Sequence, residues 1–261
     1  MKQSSLSHKI ALITGGGQGI GQAVAKRLAD EGAIIAAVDT NEDQLQSNVQ
    51  KLNDKGIRAF AYPGDITDQA SVQHIVDQIE KQLGPIYLLV NVAGILRISS
   101  IDQISADDWH QTFAVNTHGL FYISQAVSKY MMKRSEGVIV TVSSNAGAIP
   151  RMNMAAYAAS KAAATSFTKT LGLELATYGI RCNVVSPGST ATPMQWALWS
   201  DEQGADQVIK GSLETYKTGI PLQKIADPQQ IADAVIFFAS EQSSHITMQN
   251  LTIDGGATLG I

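Results

Sequence analysis

Seven short stretches of the chain are apolar at almost every position: residues 9–14 (KIALIT), 33–39 (AIIAAVD), 57–62 (IRAFAY), 85–94 (PIYLLVNVAG), 137–144 (GVIVTVSS), 180–188 (IRCNVVSPG) and 251–256 (LTIDGG). They lack the alternating polar positions of a strand with one wet face. Each therefore reads as a strand buried on both sides, and a set of such strands makes a parallel sheet covered by helices. Longer amphipathic segments run between them, one through Ala23, Ala25 and Leu28 and others over 68–83, 106–132 and 155–178, long enough for crossover helices. Alternating strand and helix predicts a single doubly wound α/β (Rossmann) domain over residues 1–261, with a parallel sheet of about seven strands and helices on both faces. No linker, repeat or low-complexity tract divides it. One stretch breaks the rhythm: residues 189–217, between the sixth strand and the last helix, carry Met194, Trp196 and Trp199. A long insertion after the carboxyl end of a strand, where such sheets bind ligands, predicts a substrate lid. A surface hairpin packing its own aromatics is the plainer alternative.

Composition narrows the class. With 261 residues, 44% hydrophobic and 16% charged, the chain can form a large core, and intrinsic disorder is excluded. The single cysteine, Cys182, can form no intramolecular disulfide and suits a reducing cytoplasm. No apolar run approaches the ~20 residues of a membrane span, and the start of the chain has too brief an apolar run for a secretory signal. A net charge of −4 without a basic block argues against a nucleic-acid partner. The five scattered histidines have no metal-ligand spacing, so no metal is expected.

Candidate chemistry begins at the first strand's end. Thr14-Gly15-Gly16-Gly17-Gln18-Gly19-Ile20-Gly21 joins a strand to a helix, where glycines let the backbone approach a pyrophosphate at the helix's positive N-terminus. Asp39, 18 positions after Gly21, ends the second strand. A carboxylate there accepts hydrogen bonds from ribose hydroxyls and repels a 2′-phosphate, with no basic residue at Gln18 or Thr40 to compensate, so the expected cofactor is NAD. Asp39 as a cap for the helix opening at Asn41 is the structural alternative.

Tyr157 and Lys161 are four residues apart in a helical pattern and share one face. An ammonium beside a phenol stabilises the phenolate and lowers its pKa, so the pair can accept a proton from an alcohol. Ser144 stands at the carboxyl end of the fifth strand, where its hydroxyl can hold the same substrate oxygen.

Taken together, Thr14-Gly15-x-x-x-Gly19-Ile20-Gly21, Asn91-Val92-Ala93-Gly94, Asn116, Ser144, Tyr157-x-x-x-Lys161 and Pro187-Gly188 resemble the motif series of the short-chain dehydrogenase/reductases, in order and over essentially the whole chain. The resemblance implies a general base at Tyr157, with Lys161 lowering its pKa and holding the nicotinamide ribose. Ser144 would orient substrate, and Asn116 would hold a water linking Lys161 to solvent. It further implies that Asp65 and Ile66 line the adenine pocket, that Asn91 supports the central strand and the cofactor, that Ala93, Gly94, Pro187 and Gly188 border the dinucleotide, and that Thr192 binds the carboxamide. The family's second asparagine in its NNAG motif is Val92 here, a departure that touches one structural hydrogen bond.

Finer resemblance within the family, carried by residues 93–97, 111–116, 181–190, 219–222 and the ending DGGATLGI, points to a small cyclic diol bearing a carboxylate as substrate. Such a substrate calls for a cation, and Arg97 and Arg151 are both candidates to fork onto the carboxylate. Met152, Met154, Met194 and Trp196 are candidates for apolar walls. The competing readings are another NAD(P)-dependent carbonyl reductase, such as one acting on thioester-bound substrates, and a dinucleotide-sensing protein without turnover. The resemblance also implies a homotetramer, with the apolar segments 106–132 and 155–178 as contact faces. The tail ATLGI is left open between a neighbouring subunit and the pocket.

Overall fold

The computed structural model describes residues 4–199 and 204–260. All seven expected strands form: β1 (Ile10–Thr14), β2 (Ile34–Asp39), β3 (Ala59–Pro63), β4 (Ile86–Asn91), β5 (Val138–Val142), β6 (Arg181–Pro187) and β7 (Asn250–Ile253). They make one all-parallel sheet in the order β3-β2-β1-β4-β5-β6-β7. Every residue of β1, β4 and β5 is buried, which is what continuous apolar sequence demands of central strands. The outer strands β3 and β7 are only partly buried, as edges are.

The helices are α1 (Gly19–Asp30), α2 (Glu42–Asn53), α3 (Gln69–Gln82), α4 (Ala106–Phe113), α5 (Leu120–Arg134), α6 (Ala155–Leu175), α7 (Pro193–Trp196), α8 (Gly204–Lys210) and α9 (Pro228–Ala239). They cover both faces of the sheet and close two apolar cores. One core packs Val24, Leu28, Leu45, Val235 and Phe238 onto the sheet. The other packs Val76, Ile79, Ile123, Val127 and Met131 onto the opposite face. None of the described helices is long and apolar enough to cross a membrane.

One sequence expectation needs correction, and one structural alternative falls away. The segment 106–132 is not one helix: α4 and α5 are joined by a π-helical turn, Ala114–Gly119. Such turns give one residue a new direction and tend to occur at functional positions; here the residue is Asn116. Asp39 does not cap α2 either, because Asn41 fills that place by accepting from Gln44 N.

β1 and β4 are neighbours in space although two strands separate them in sequence, so the crossovers run to opposite sides between them. This switch point opens a crevice at the carboxyl edge, where ligands of doubly wound sheets bind. The glycine loop follows β1, Val92–Gly94 follow β4, Ser143 and Ser144 follow β5, Gly188 follows β6 and Asp254 follows β7.

At the opposite edge, the Arg181 guanidinium ties β6 to the end of α9. It donates to the carbonyls of Phe238 (2.6 Å), Ser240 (3.2 Å) and Ser243 (3.1 Å) and to Ser243 Oγ (2.7 Å). A cation at a helix C-terminus also complements the macrodipole. Arg181→Ala removes these charge-assisted bonds, leaving the carbonyls only their donors Ser243 Oγ, Ser243 N and Ile246 N, and is expected to lower unfolding free energy by about 1–3 kcal/mol, readable as a drop in the urea midpoint. A midpoint unchanged from wild type refutes this role.

Candidate active site

The glycine loop is a cradle that side chains would fill. A Cβ on Gly15 would lie 2.9 Å from the Ala93 backbone, and one on Gly21 would run into the Gly15 carbonyl. Thr14 Oγ1 accepts from Val92 N (3.1 Å) and Ala93 N (3.3 Å), which fastens the loop to the end of β4. The departure at Val92 therefore leaves this joint intact. Gln18 stands at the N-cap of α1 without a side-chain cap bond, and the first turn holds no acid. The helix thus offers unfilled N–H groups and a positive dipole end, the chemistry a pyrophosphate requires. Asp39 Oδ2 accepts from Gly17 N (2.8 Å) and Oδ1 from Asn41 N (3.0 Å), so its carboxylate is fixed beside the loop. Thr192, the N-cap of α7, packs its methyl toward Gly19, where an added Cβ would meet it at 3.3 Å. These features fit a dinucleotide.

Other residues of the predicted set also have contacts within the fold. Asn91 is buried and donates to Ser124 Oγ (3.1 Å) and Thr141 Oγ1 (3.4 Å), so its side chain braces β4 against α5 and β5. Ile66 is buried beneath the π-turn against Gly119, and exposed Asp65 accepts from Thr67 N. Gly188 closes on Asp254, where a Cβ would collide.

Ser144, Tyr157 and Lys161 converge at the end of β5. The Ser144 hydroxyl acts on the Tyr157 phenol, and it also accepts from Ala146 N (3.1 Å). Lys161 Nζ donates to the Val142 carbonyl (3.0 Å) and lies 5.8 Å from the Tyr157 ring centroid. Both Tyr157 and Lys161 are buried. Burial raises the phenol's pKa while Ser144 pulls it down, and burial lowers the lysine to about 8. The ammonium of Lys161 is engaged by the Val142 carbonyl on the wall that also carries Tyr157. Asn116 Oδ1 accepts from Ile95 N (2.8 Å), and Nδ2 donates to Ile95 O and Ser160 Oγ (3.0 Å each). Both amide hydrogens are committed, so a bound water is left only an oxygen of this residue.

Ser144 and Tyr157 line a cavity of about 680 Å³, large enough for a small cyclic substrate beside a cofactor ring. Arg151, Met154 and Met194 line it. Arg97 does not: it is exposed and its Nε lies 3.6 Å from Asp108 Oδ1. Of the two candidate arginines only Arg151 faces the site. It is half-buried, and desolvation lowers its pKa against the pull of Asp254. Met152 is exposed outside the cavity, and Trp196 borders a second cavity of about 510 Å³ behind the glycine loop.

Segment 189–217 forms a wall of the main cavity through Leu198, Trp199, Val208 and Lys217, with residues 200–203 outside the described part. Trp199 Nε1 and Thr215 Oγ1 are buried there without a hydrogen-bond partner among the described residues. Of the tail, Ala257 lines the cavity and Leu259 is exposed, while Ile261 lies outside the described residues. Sequence reasoning missed Ser160, Asp254 and Lys217. The strand-end sequence Asp254-Gly255-Gly256 was the available signal for the second of these.

The family model described as short chain dehydrogenase matches residues 9–203, and the chain belongs to that family. It is 59% identical over 261 residues, covering all of both chains, to the 2,3-dihydro-2,3-dihydroxybenzoate dehydrogenase of Bacillus subtilis. The Escherichia coli enzyme of the same name is 43% identical over 97% of this chain and 98% of its own. A crystal structure of a gluconate 5-dehydrogenase from Burkholderia cenocepacia in complex with NADP and tartrate superposes with a TM-score of 0.90, at 34% identity, over 98% of this chain and 97% of that one.

The lysine's low pKa makes a stability prediction. Between about 8 and the ordinary 10.5 the unfolded chain holds a proton that the folded chain has released, so this residue's contribution to stability rises with pH across that window. Below it, burying the ammonium costs on the order of 3 kcal/mol. Lys161→Met removes that cost and forfeits the Val142 bond. Without added cofactor the variant should be more stable at pH 7 by about 1–2 kcal/mol, a gap that closes near pH 10.5. Urea unfolding at the two pH values decides, and a less stable variant at pH 7 contradicts the assignment.

Proposed function

We propose that the protein oxidises 2,3-dihydro-2,3-dihydroxybenzoate to 2,3-dihydroxybenzoate, the catechol acid of siderophore biosynthesis, with NAD as cofactor. The observation that carries this reading is an arginine, Arg151, without an ion-pair partner among the described residues, in the cavity that also holds Ser144 and Tyr157. It suits a small acid with a secondary alcohol. The names of the relatives above agree with it.

The dinucleotide, when bound, supplies the hydride acceptor. Gly15, Gln18, Gly19, Ile20 and Gly21 would hold its pyrophosphate and Asp39 the adenosine ribose. Asp65, Ile66, Asn91, Ala93, Gly94, Pro187, Gly188 and Thr192 would border the rest. The fixed Asp39 carboxylate disfavours a 2′-phosphate by charge, which supports NAD over NADP.

Tyr157 would accept the substrate hydroxyl's proton while Ser144 holds the same oxygen and Arg151 the carboxylate, with Met194 against the ring. Lys161 would hold the nicotinamide ribose, and Asn116 would complete the proton path to solvent. Loss of a proton and a hydride leaves a cyclohexadienone, which tautomerises to the aromatic catechol. That gain drives the reaction toward oxidation, so the protein needs chiefly to position and deprotonate.

We read the enzyme as cytoplasmic, consistent with the buried Cys182, whose thiol burial lifts to about 12. Segment 189–217 would act as the lid.

The decisive assay follows NADH absorbance with the dihydrodiol acid, and with NADP⁺ in parallel. Fast turnover with NAD⁺, about tenfold or more above NADP⁺, is expected. Tyr157→Phe should cut turnover by about a thousandfold while NAD⁺ affinity stays within a few fold. Surviving turnover removes Tyr157 as base, and silence with NAD⁺ despite NAD⁺ binding removes the substrate.

A homotetramer is also proposed, through exposed apolar side chains on α4, α5 and α6, among them Trp109, Phe121 and Leu173. Light scattering should return four chains, and a monomer would end the idea.

A further inference from the structure

Lys217 belongs to a tight hairpin between α8 and α9. Ser212 and Lys217 exchange two backbone hydrogen bonds, Ser212 N to Lys217 O (3.0 Å) and Lys217 N to Ser212 O (2.9 Å). Thr215 N donates to Ser212 Oγ (3.3 Å) across the turn. Gly211 and Gly219 close its base, both with φ of +81° and packed so that a Cβ on either would strike the backbone opposite. Only glycine allows that approach, so the base is built to hold the hairpin in one register.

The register places Lys217 on the cavity that contains Ser144, Tyr157 and Arg151. It stands at the mouth, still exposed to solvent. Arg151 lines the same cavity from the segment between β5 and α6. The two cations are close enough to repel, and that repulsion adds to burial in lowering the lysine's pKa. Neither has an ion-pair partner among the described residues. The acid that acts on Arg151 is Asp254, whose oxygens already accept from Asn145 Nδ2 (3.2 Å) and Gly256 N (2.9 Å). Glu214 of the same hairpin is exposed and makes no such contact. Lys210 also lines the cavity, but Lys217 is the lysine on which the Arg151 charge acts, and two like charges facing one cavity favour an anion between them.

We propose that Lys217 is a specificity-determining residue, which with Arg151 forms a two-cation seat for the substrate's carboxylate and selects the acid over the neutral diol. The proposal rests on the carboxylate-bearing substrate of the preceding subsection. Arg151 anchors the group from the fixed catalytic wall. Lys217 reaches it from the hairpin side of the cavity, so the carboxylate links the hairpin to the reacting end.

The test compares wild type, Lys217→Gln and Lys217→Arg on 2,3-dihydro-2,3-dihydroxybenzoate and on the same cyclohexadiene diol lacking the carboxylate. The readout is the acid-over-neutral ratio of kcat/KM. Lys217→Gln should lower this ratio by about 10- to 100-fold, and Lys217→Arg should restore most of it. A purely structural role depresses both substrates together and leaves the ratio where it was, which overturns the proposal. So does a ratio that falls in Lys210→Gln instead. Should wild type fail to oxidise the acid, the substrate reading is lost. Lys217 is then judged by affinity for 2,3-dihydroxybenzoate against catechol: an equal preference in wild type and Lys217→Gln overturns its role, and a reduced one supports it.

Discussion

The site depends on keeping one primary amine out of water. Lys161 is buried in the interior wall of the crevice, and its ammonium rests on the carbonyl of Val142 at the end of β5. Several neighbours make sense only as provisions for that placement. Gly94 has no side chain where a Cβ would come within 3.3 Å of Nζ, and Gly147 lets the loop after β5 lie on the lysine's own backbone. Ser143 Oγ donates to the Lys161 carbonyl and contacts Thr165 Oγ1, which pins α6 to the strand end. Ser160 bonds the Tyr157 carbonyl and receives Asn116, which is turned toward it by the π-helical segment. A buried cation with a single carbonyl partner is a poor stabiliser of a fold. Its retention is better explained by chemistry than by stability, and the cost is spread over a sheet whose central strands are entirely buried.

The same economy of placement governs the nucleotide end. Asp39 is held by two backbone amides, Gly17 and Asn41, rather than left to rotate. A carboxylate fixed in advance loses little entropy when ribose hydroxyls replace water around it. Thr14 joins the glycine loop to the end of β4, so the two sides of the crevice proposed to hold the dinucleotide are tied together.

The strands were legible because burial on both faces leaves an unbroken apolar trace, and their ends shifted by no more than three residues. The trio Ser144, Tyr157 and Lys161 was legible because strand ends and helical spacing are both visible in sequence. The π-turn was not, since its extra residue per turn has no side-chain signature and 106–132 reads as continuous amphipathic helix. Arg97 and Arg151 were indistinguishable in sequence: each follows a strand by a few residues, and only folding shows that Asp108 lies beside one while the other enters the cavity. Lys217 was further from view, because its position depends on the closure of Gly211 against Gly219, a contact between backbones.

That contrast separates two kinds of information in the chain. The chemistry that family members share comes from strand ends, whose relation to one another is set by the sheet and hardly depends on side chains elsewhere. In the proposed reading, recognition of a particular substrate falls to a loop and a hairpin, Arg151 and Lys217, which line one cavity. Changing either would leave the sheet, the glycine cradle and the buried lysine undisturbed. A fold arranged this way can exchange one substrate for another by altering the hairpin alone, because the energetic cost of the catalytic wall has already been met by packing on the far side of the sheet.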